Sequence, residues 1–489
     1  GFNAYKTRFA VFGFRYCEVS ADDLSDLEDA EFTAVAVYSD LRRTGFFKSS
    51  NALLDQFVES TVWSARSNFL DIPTDCPTRE RHGWTGDAQI FFDTAGWLFD
   101  CASFFRKYVQ DMYDWQRKDG CLPQIVPEGG VDFYMDAMNG SVGWADAGVL
   151  IPYRFWKRYG DRSILEKYYK GMKKYARFMM KRCGKHTLLS KPLRIPHGYR
   201  KYAVNAGQSY GEWAEPADVH PNKWTDMVLP HPEVSTAYTS FVMGHMAEIA
   251  AELGEDADHD LYREYARQVR RSYQAIRSLP EFTLDTDRQA MLVRPLYMGL
   301  LDTEGRKYAQ ERLVKALDHY GWRLGTGFLS TPLILDVLSE IDIGYAYRLL
   351  ENEEMPGWLF MPKHGATTIW ESWEGTEAQN GIASLNHYSK GAVCAWLFET
   401  MCGIRIDGEN HFLLSPKPGG SFTYAGASYD SIYGTVACRW ERSDAGVRYT
   451  AEIPPNTSAR VELPGMEPFE VKAGKYEWMA ETEKMTQKK

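Results

Sequence analysis

The sequence predicts a mainly α-helical protein, a helical toroid with a short β segment before it and a β-sandwich after it. Three observations carry this expectation. Apolar residues recur at helical spacing from about residue 51 to residue 402, strand-like alternation is confined to the two ends, and the helical stretches are joined by long loops rich in Gly, Pro and Trp. Roughly eight to twelve helices joined in this way suit a toroid better than a bundle, whose connections usually run to ~2–8 residues.

In chain order, the first element is β-like. Phe12-Gly13-Phe14-Arg15-Tyr16 and Ala34-Val35-Ala36-Val37-Tyr38 alternate in the strand manner. Two or three strands make no stable sheet alone, so residues 1–48 are expected to dock on something larger or to be the remnant of a β-sandwich that begins upstream. Residues 49–402 form the expected helical domain. Leu53, Leu54, Phe57, Val58, Val62 and Ala65 share one helix face, and a second helix is expected from about Ala88 through Phe91, Phe92, Leu98, Phe99 and Phe105 to Met112. The same period recurs around 145–159, 162–182, 235–253, 258–277, 304–319 and 388–402. From 403 to 489 the pattern returns to strands, as in His411-Phe412-Leu413-Leu414 and Val447 to Ile453, separated by turns at Pro418-Gly419-Gly420 and Pro454-Pro455-Asn456. A polar tail is expected from about Glu483 to Lys489.

Composition narrows the function. A net charge of −10 argues against a nucleic-acid partner, because such binding depends on clustered Lys and Arg neutralising phosphates. A neutral or small substrate is favoured instead. The eight cysteines show no C-x-x-C pair and no zinc-type spacing, so no metal is expected and the thiols read as free and buried. No apolar run is long enough to cross a membrane and no signal-peptide pattern opens the chain, which leans the reading toward a cytoplasmic protein without a membrane partner. Gly1 is not a start methionine, and a removed leader is compatible with that. A homo-oligomer is compatible with the sequence too. The aromatic fraction of 14%, with 15 Trp and 29 Tyr, suits either an aromatic core or a surface that stacks on sugar rings.

Chemistry concentrates in two loops. Asp75-Cys76-Pro77-Thr78-Arg79-Glu80-Arg81-His82-Gly83-Trp84-Thr85-Gly86-Asp87 places six ionisable or imidazole side chains in thirteen positions between two apolar helices. There one carboxyl paired with an arginine stays ionised, while another packed on Trp84 keeps its proton. The second loop runs from Lys363 to Glu374 and sets Glu371 and Glu374 between Trp370 and Trp373. Two carboxyls from separate loops with aromatic platforms between them are the minimum kit of glycoside hydrolysis, although binding surfaces of lectins use similar residues.

The run Asp75 to Gln89 closely resembles the signature of the bacterial α-L-rhamnosidases of glycoside hydrolase family 78. Similar segments follow in the family's order: Gly143-Trp144-Ala145-Asp146-Ala147, Tyr210-Gly211-Glu212-Trp213, Thr326-Gly327-Phe328-Leu329, Gly365 to Glu371, and Ser384-Leu385-Asn386-His387-Tyr388. The resemblance spans about Gly13 to Gly434. It implies an (α/α)6 barrel with a C-terminal β-sandwich, and hydrolysis of terminal α-L-rhamnose from glycosides or oligosaccharides with inversion and without a cofactor. It further implies Glu80 as general acid and Glu371 as general base. Asp75, Arg79, Trp84, Asp87, Trp144, Trp213 and His387 are implied to hold the sugar. Trp144 and His387 also fit purely structural roles, and Asp146 and Glu374 read as supporting or capping residues. Two departures stand out. Glu212 precedes Trp213 where the compared segment has Asp, and the accessory domains usual before the barrel are missing. The alternatives are a glycosidase of the same barrel acting on another sugar, and a carbohydrate-binding homologue without turnover; a phosphorylase would lack the base that Glu371 supplies.

Overall fold

Helices fall into two kinds by burial. The segment Thr85–Leu98 is buried at every position except Asp93, as expected of a helix surrounded by protein, whereas Asp256–Ala275 buries only Tyr262, Val269, Ser272 and Tyr273 along one stripe. The computed structural model describes residues 4–480 apart from 15, 129–135, 187–192, 194, 222 and 382, so the polar tail expected at 483–489 lies outside the described residues.

Consecutive helices pair as hairpins: Ala147–Tyr159 with Ser163–Arg182, Pro232–Leu253 with Asp256–Ala275, Gln289–Tyr297 with Thr303–His319, and Ile334–Ile341 with Ile343–Leu350. The first members of these pairs also pack on one another in sequence, and Thr85–Leu98 packs both on Ala147–Tyr159 and on the segment Ser389–Val393. Trp396 Nε1, in the turn Cys394–Trp396 that continues that segment, donates to Ser339 Oγ at 3.0 Å and ties it to Ile334–Ile341. Local signals fix the ends. Asn51 caps Ala52–Asn68 by accepting from the amides of Leu53 and Leu54, and Asp302 caps Thr303–His319 by accepting from Gly305 N.

The expected single helix from Ala88 to Met112 is instead two, Thr85–Leu98 and Ala102–Asp114. Phe99 has extended backbone at φ −138°, ψ 153°, and Asp100 N donates to Arg42 O at 2.9 Å. A distant segment thus captures the backbone between the two helices. Apolar spacing runs through this break without a mark, because Phe99, Phe104 and Phe105 are all buried on the same core.

Strands expected at Phe12–Tyr16 and Ala34–Tyr38 do not form. Among the described residues, 4–42 are coil with one short 3-10 turn at Leu24–Leu27, and Tyr5, Phe9, Phe12 and Phe14 stand exposed. Alternation becomes a strand only beside a partner that satisfies its N–H and C=O groups. The chain first finds one at Gly45–Ser49, which pairs antiparallel with Tyr424–Ser431, Phe47 opposite Ala427. A strand that precedes the helices therefore belongs to the C-terminal sheet.

That C-terminal unit is a strand domain hydrogen-bonded as one seven-stranded sheet rather than as two separate ones. The reason is the long strand Gly446–Val461. Its first half pairs with Gly434–Ser443; after an irregularity between Ile453 and Ser458, its second half pairs in parallel with His411–Leu414, and Phe469–Ala480 follows it on both sides of the bend. Of the cysteines, all described as free, Cys17 is exposed and Cys183 half-buried, while the other six are buried as expected.

Candidate active site

The acidic loop is held from within. Asp75 N donates to His82 O at 3.0 Å and His82 N returns a bond to Asp75 Oδ1 at 2.8 Å, so residues 75–82 close on themselves and project Arg79 and Glu80. Trp84 Nε1 donates to Glu80 Oε2 at 2.8 Å, and Arg79 Nη2 donates to Glu80 Oε1 at 2.5 Å. Burial, then the charge of Glu80, pushes the Asp75 carboxyl up to about 7, although the nearby His387 and the amide of His82 work the other way.

The second loop is a narrow hairpin. Glu371 N donates to Ser384 O at 2.9 Å, His387 N donates to Ile369 O at 2.7 Å, and Ile369 N is anchored on Ser64 Oγ of helix Ala52–Asn68 at 2.8 Å. Glu371 therefore has little freedom. Its Oε2 accepts from Ser384 N at 2.8 Å and from Arg79 Nη2 at 3.2 Å, and its Oε1 accepts from Trp213 Nε1 at 3.4 Å. The side chain of Glu371 is 4% exposed and that of Glu80 32%, so one carboxyl is enclosed and the other opens outward.

A single guanidinium nitrogen thus touches both carboxylates. With Arg79 Nη2 at 2.5 Å from Glu80 Oε1 and 3.2 Å from Glu371 Oε2, those two oxygens stand no more than about 5.7 Å apart. The loops that sequence separates by almost three hundred positions meet at this arginine.

Asp87 and His387 meet as well, but chiefly with each other. His387 Nε2 lies 3.1 Å from Asp87 Oδ1, and Ser389 Oγ donates to the same oxygen at 2.9 Å. Burial opposes charge on the imidazole, yet the bond to Asp87 and the charges of Asp87, Glu371 and Asp75 outweigh it and hold its pKa above the ordinary value. Asp87 thereby favours the charged form of the His387 imidazole.

Three tryptophans gather around one tyrosine. The ring of Tyr210 lies 5.6 Å from Trp84, 4.8 Å from Trp144 and 6.2 Å from Trp213, and its hydroxyl donates to Gln124 Oε1 at 2.8 Å. Trp84 and Trp213 are partly exposed, while Trp144 is buried and packs on the start of helix Thr85–Leu98. Gly86 makes that possible, since a Cβ there would stand 2.5 Å from the Trp144 indole. Asp146 sits below as a support. It accepts from Gly143 N at 2.6 Å and from Tyr175 OH at 2.8 Å, and burial pushes its carboxyl up to about 6.

Sequence reasoning left Glu212 without a role, and the structure supplies one. Its carboxylate accepts from Gly327 N at 3.1 Å, Ser330 N at 2.6 Å, Ser330 Oγ at 2.8 Å and Arg294 Nη2 at 2.5 Å. Arg294, itself buried, also donates to Glu233 at 2.6 Å. Glu212 is thus an anchor beneath the Trp213 turn. Gly327 lets that turn come close, because a Cβ there would meet Trp213 O at 2.2 Å. Glu374 similarly accepts from Ala217 N at 2.8 Å rather than entering the site. Tyr210 and Ser384 were visible only as members of their segments, and Lys390 carried no local signal at all. Among the described residues no group of three His, Cys, Asp or Glu side chains is arranged to hold a metal ion.

Residues 42–401 match the family model of the bacterial alpha-L-rhamnosidase 6 hairpin glycosidase domain, and residues 406–477 match that of the bacterial alpha-L-rhamnosidase C-terminal domain. An alpha-L-rhamnosidase of Streptomyces avermitilis is 32% identical over 482 residues, which are 96% of this chain and 43% of that protein. One from Formosa agariphila is 32% identical over 470 residues, 94% of this chain and 48% of its own length. The crystal structure of the Streptomyces avermitilis alpha-L-rhamnosidase complexed with L-rhamnose superposes with a TM-score of 0.76 at 30% identity, covering 90% of this chain and 42% of that one. The alpha-L-rhamnosidase from Dictyoglumus thermophilum gives a TM-score of 0.77 at 27% identity, with 90% and 50% covered. The chain spans about half the length of the curated relatives it matches.

Proposed function

The chain belongs to the bacterial α-L-rhamnosidase family, and from that membership we propose that it hydrolyses terminal α-L-rhamnose from glycosides or oligosaccharides on an (α/α)6 barrel, by inversion. The observation that carries the proposal is the convergence of Glu80 and Glu371 on Arg79 beneath three tryptophans. In this reading the barrel spans residues 49–402 and the C-terminal strand domain begins at 403, its single bent sheet carrying the strand Gly45–Ser49 at one edge.

Glu80 is the general acid. Its partly exposed carboxyl, steered by Trp84 Nε1, protonates the glycosidic oxygen as the bond to C1 breaks. Glu371 is the general base. Enclosed and oriented by Ser384 N and Trp213 Nε1, it takes a proton from the water that attacks C1 from the opposite face. Asp75, Arg79 and Asp87 with His387 receive ring hydroxyls, and Trp84, Trp144 and Trp213 cover the apolar face and the methyl of a 6-deoxy sugar. The L-rhamnose in the crystal structure of the Streptomyces avermitilis relative supports this sugar.

One observation favours a second reading, in which Glu371 attacks the sugar itself. Inverting pairs stand ~6.5–9.5 Å apart and retaining pairs ~5–5.5 Å, and the near oxygens here lie within about 5.7 Å of each other. We assign that closeness to Arg79, which draws both carboxylates together and exchanges its bond to Glu80 for a sugar hydroxyl when substrate enters. Proton NMR during early hydrolysis of an aryl α-L-rhamnoside decides. The β-anomer is expected first, before mutarotation; the α-anomer first would establish retention, and binding without turnover would leave a carbohydrate-binding homologue.

A further inference from the structure

A buried lysine packs against the turn that carries Trp213. Lys390 is completely buried, its Nζ donates to Ala214 O at 3.2 Å, and it lies 4.1 Å from the centre of the Trp373 ring and 5.4 Å from that of Phe328. Placing an ammonium in such a cage is costly unless charge or hydrogen bonds compensate. One carbonyl and two ring faces are weak compensation, so the surrounding charge decides.

That charge is negative. Glu212, Glu215, Glu371 and Glu374 all act on Lys390. Most have other partners: Glu212 is paired with Arg294, Glu215 with Arg288, and Glu374 with the amide of Ala217. Glu371 is itself bonded to Arg79, its charge acts on His387, and Glu80 and Asp75 add negative charge nearby. The covalent neighbourhood is equally direct. Ala214 follows Trp213, whose N–H reaches Glu371 Oε1, and Trp373 lies two positions after Glu371. Ala214 has φ +57°, a conformation an alanine keeps only where contacts hold it, and its carbonyl is the one Lys390 grips.

We infer that Lys390 is a positioning residue for the base: it pins the Trp213–Ala214 turn so that the Trp213 N–H stays on Glu371, and its ammonium attracts the negative charge of Glu371. This rests on Glu371 acting as a base. Burial pulls the lysine down to about 7 against the four glutamates, so below that pH, where a carboxylate base titrates, Lys390 carries its proton.

The test is the pH profile of kcat/KM for an aryl α-L-rhamnoside, whose acid limb reports the base of the free enzyme. Lys390→Met keeps the stem and removes charge and donor, while Lys390→Gln keeps a donor and removes the charge. Both should move the acid limb up by about one pH unit, which lowers kcat/KM about tenfold at pH values below the limb. Trp213→Phe leaves Lys390 in place and removes the N–H on Glu371 while keeping an aromatic face for the sugar; whatever it does to KM, it should move the same limb in the same direction. Should the lysine variants fail to fold, an unmoved limb in Trp213→Phe overturns the inference by itself. Lysine variants that lose thermal stability while their acid limb stays within 0.2 units of wild type overturn it too, leaving Lys390 a structural residue. A wild type without turnover removes the proposed activity instead, and the two failures are distinguished in the first assay.

Discussion

Replacing Arg294 by Met removes the countercharge of two buried carboxylates at once, and the cost can be worked from their remaining partners. Glu212 keeps the amides of Gly327 and Ser330 and the Ser330 hydroxyl; among the described residues Glu233 keeps Tyr273 OH at 2.9 Å. Arg288 already serves Glu215 and is not free to substitute. Breaking a buried pair by deleting one partner costs about 3–5 kcal/mol, since the orphaned charge stays buried. At ~2.1 cal/mol/K per residue of unfolding entropy, a chain of this length loses about 3–5 °C in thermal midpoint. The sign of the pH dependence is fixed as well. Burial already raises Glu233 above its ordinary value while Arg294 holds it down. Without Arg294 the folded carboxyl rises further, so the folded state binds more protons than the unfolded chain above pH ~4.3 and the penalty grows as pH rises. Calorimetric midpoints for wild type and Arg294→Met at pH 5 and pH 8 should therefore differ more at pH 8. A loss below about 1 °C, or an equal loss at both pH values, would refute the assignment of Arg294 as the countercharge. Because Glu212 anchors the turn before Trp213, kcat/KM should fall with stability.

The remaining predictions concern the site. Glu80→Gln and Glu371→Gln should fold with unchanged circular dichroism and lose at least ~100-fold in kcat, the scale of removing a general acid or base; near-wild-type turnover in either removes its role. Asp75, pushed up to about 7 by burial, penalises folding increasingly as pH rises above the ~3.9 of an unfolded aspartate, so Asp75→Asn should raise the midpoint at pH 8 more than at pH 5. Equal midpoint changes at the two pH values would count against that buried carboxyl. Gly86→Val should cost about 1–3 kcal/mol by driving a side chain into the Trp144 indole, measured by denaturant unfolding, with rhamnose affinity falling in calorimetry. Unaltered stability would mean that Trp144 moves aside freely.

How much of this was legible in the sequence depends on the range of the interaction. Helix Ala52–Asn68 announced itself through Leu54, Phe57, Val58 and Val62, because the helical period is local. The two chemical loops were legible for the same reason, being dense runs of unusual residues. What escaped was decided at a distance. The break at Phe99 depends on Arg42, the failure of Ala34–Tyr38 to become a strand depends on the lack of a described edge beside it, and the bend in Gly446–Val461 depends on His411–Leu414. Lys390 reads in sequence as an ordinary surface cation; only its cage of Trp373, Phe328 and the Ala214 carbonyl shows otherwise. Asp87 and His387 were expected on the sugar, and the structure adds that they hold each other.

The pairing of Gly45–Ser49 with Tyr424–Ser431 has a consequence for how the protein is made. A ribosome adding ~5–20 residues per second releases the first strand some 20–80 seconds before its partner, about 380 residues later, leaves the exit tunnel. Throughout that interval Phe47 lacks its partner strand, and the helical hairpins must assemble with Gly45–Ser49 still unpaired. The sheet therefore closes only when Tyr424–Ser431 emerges and folds onto a strand made long before it, and until then the unpaired strand leaves the nascent chain open to proteolysis and aggregation.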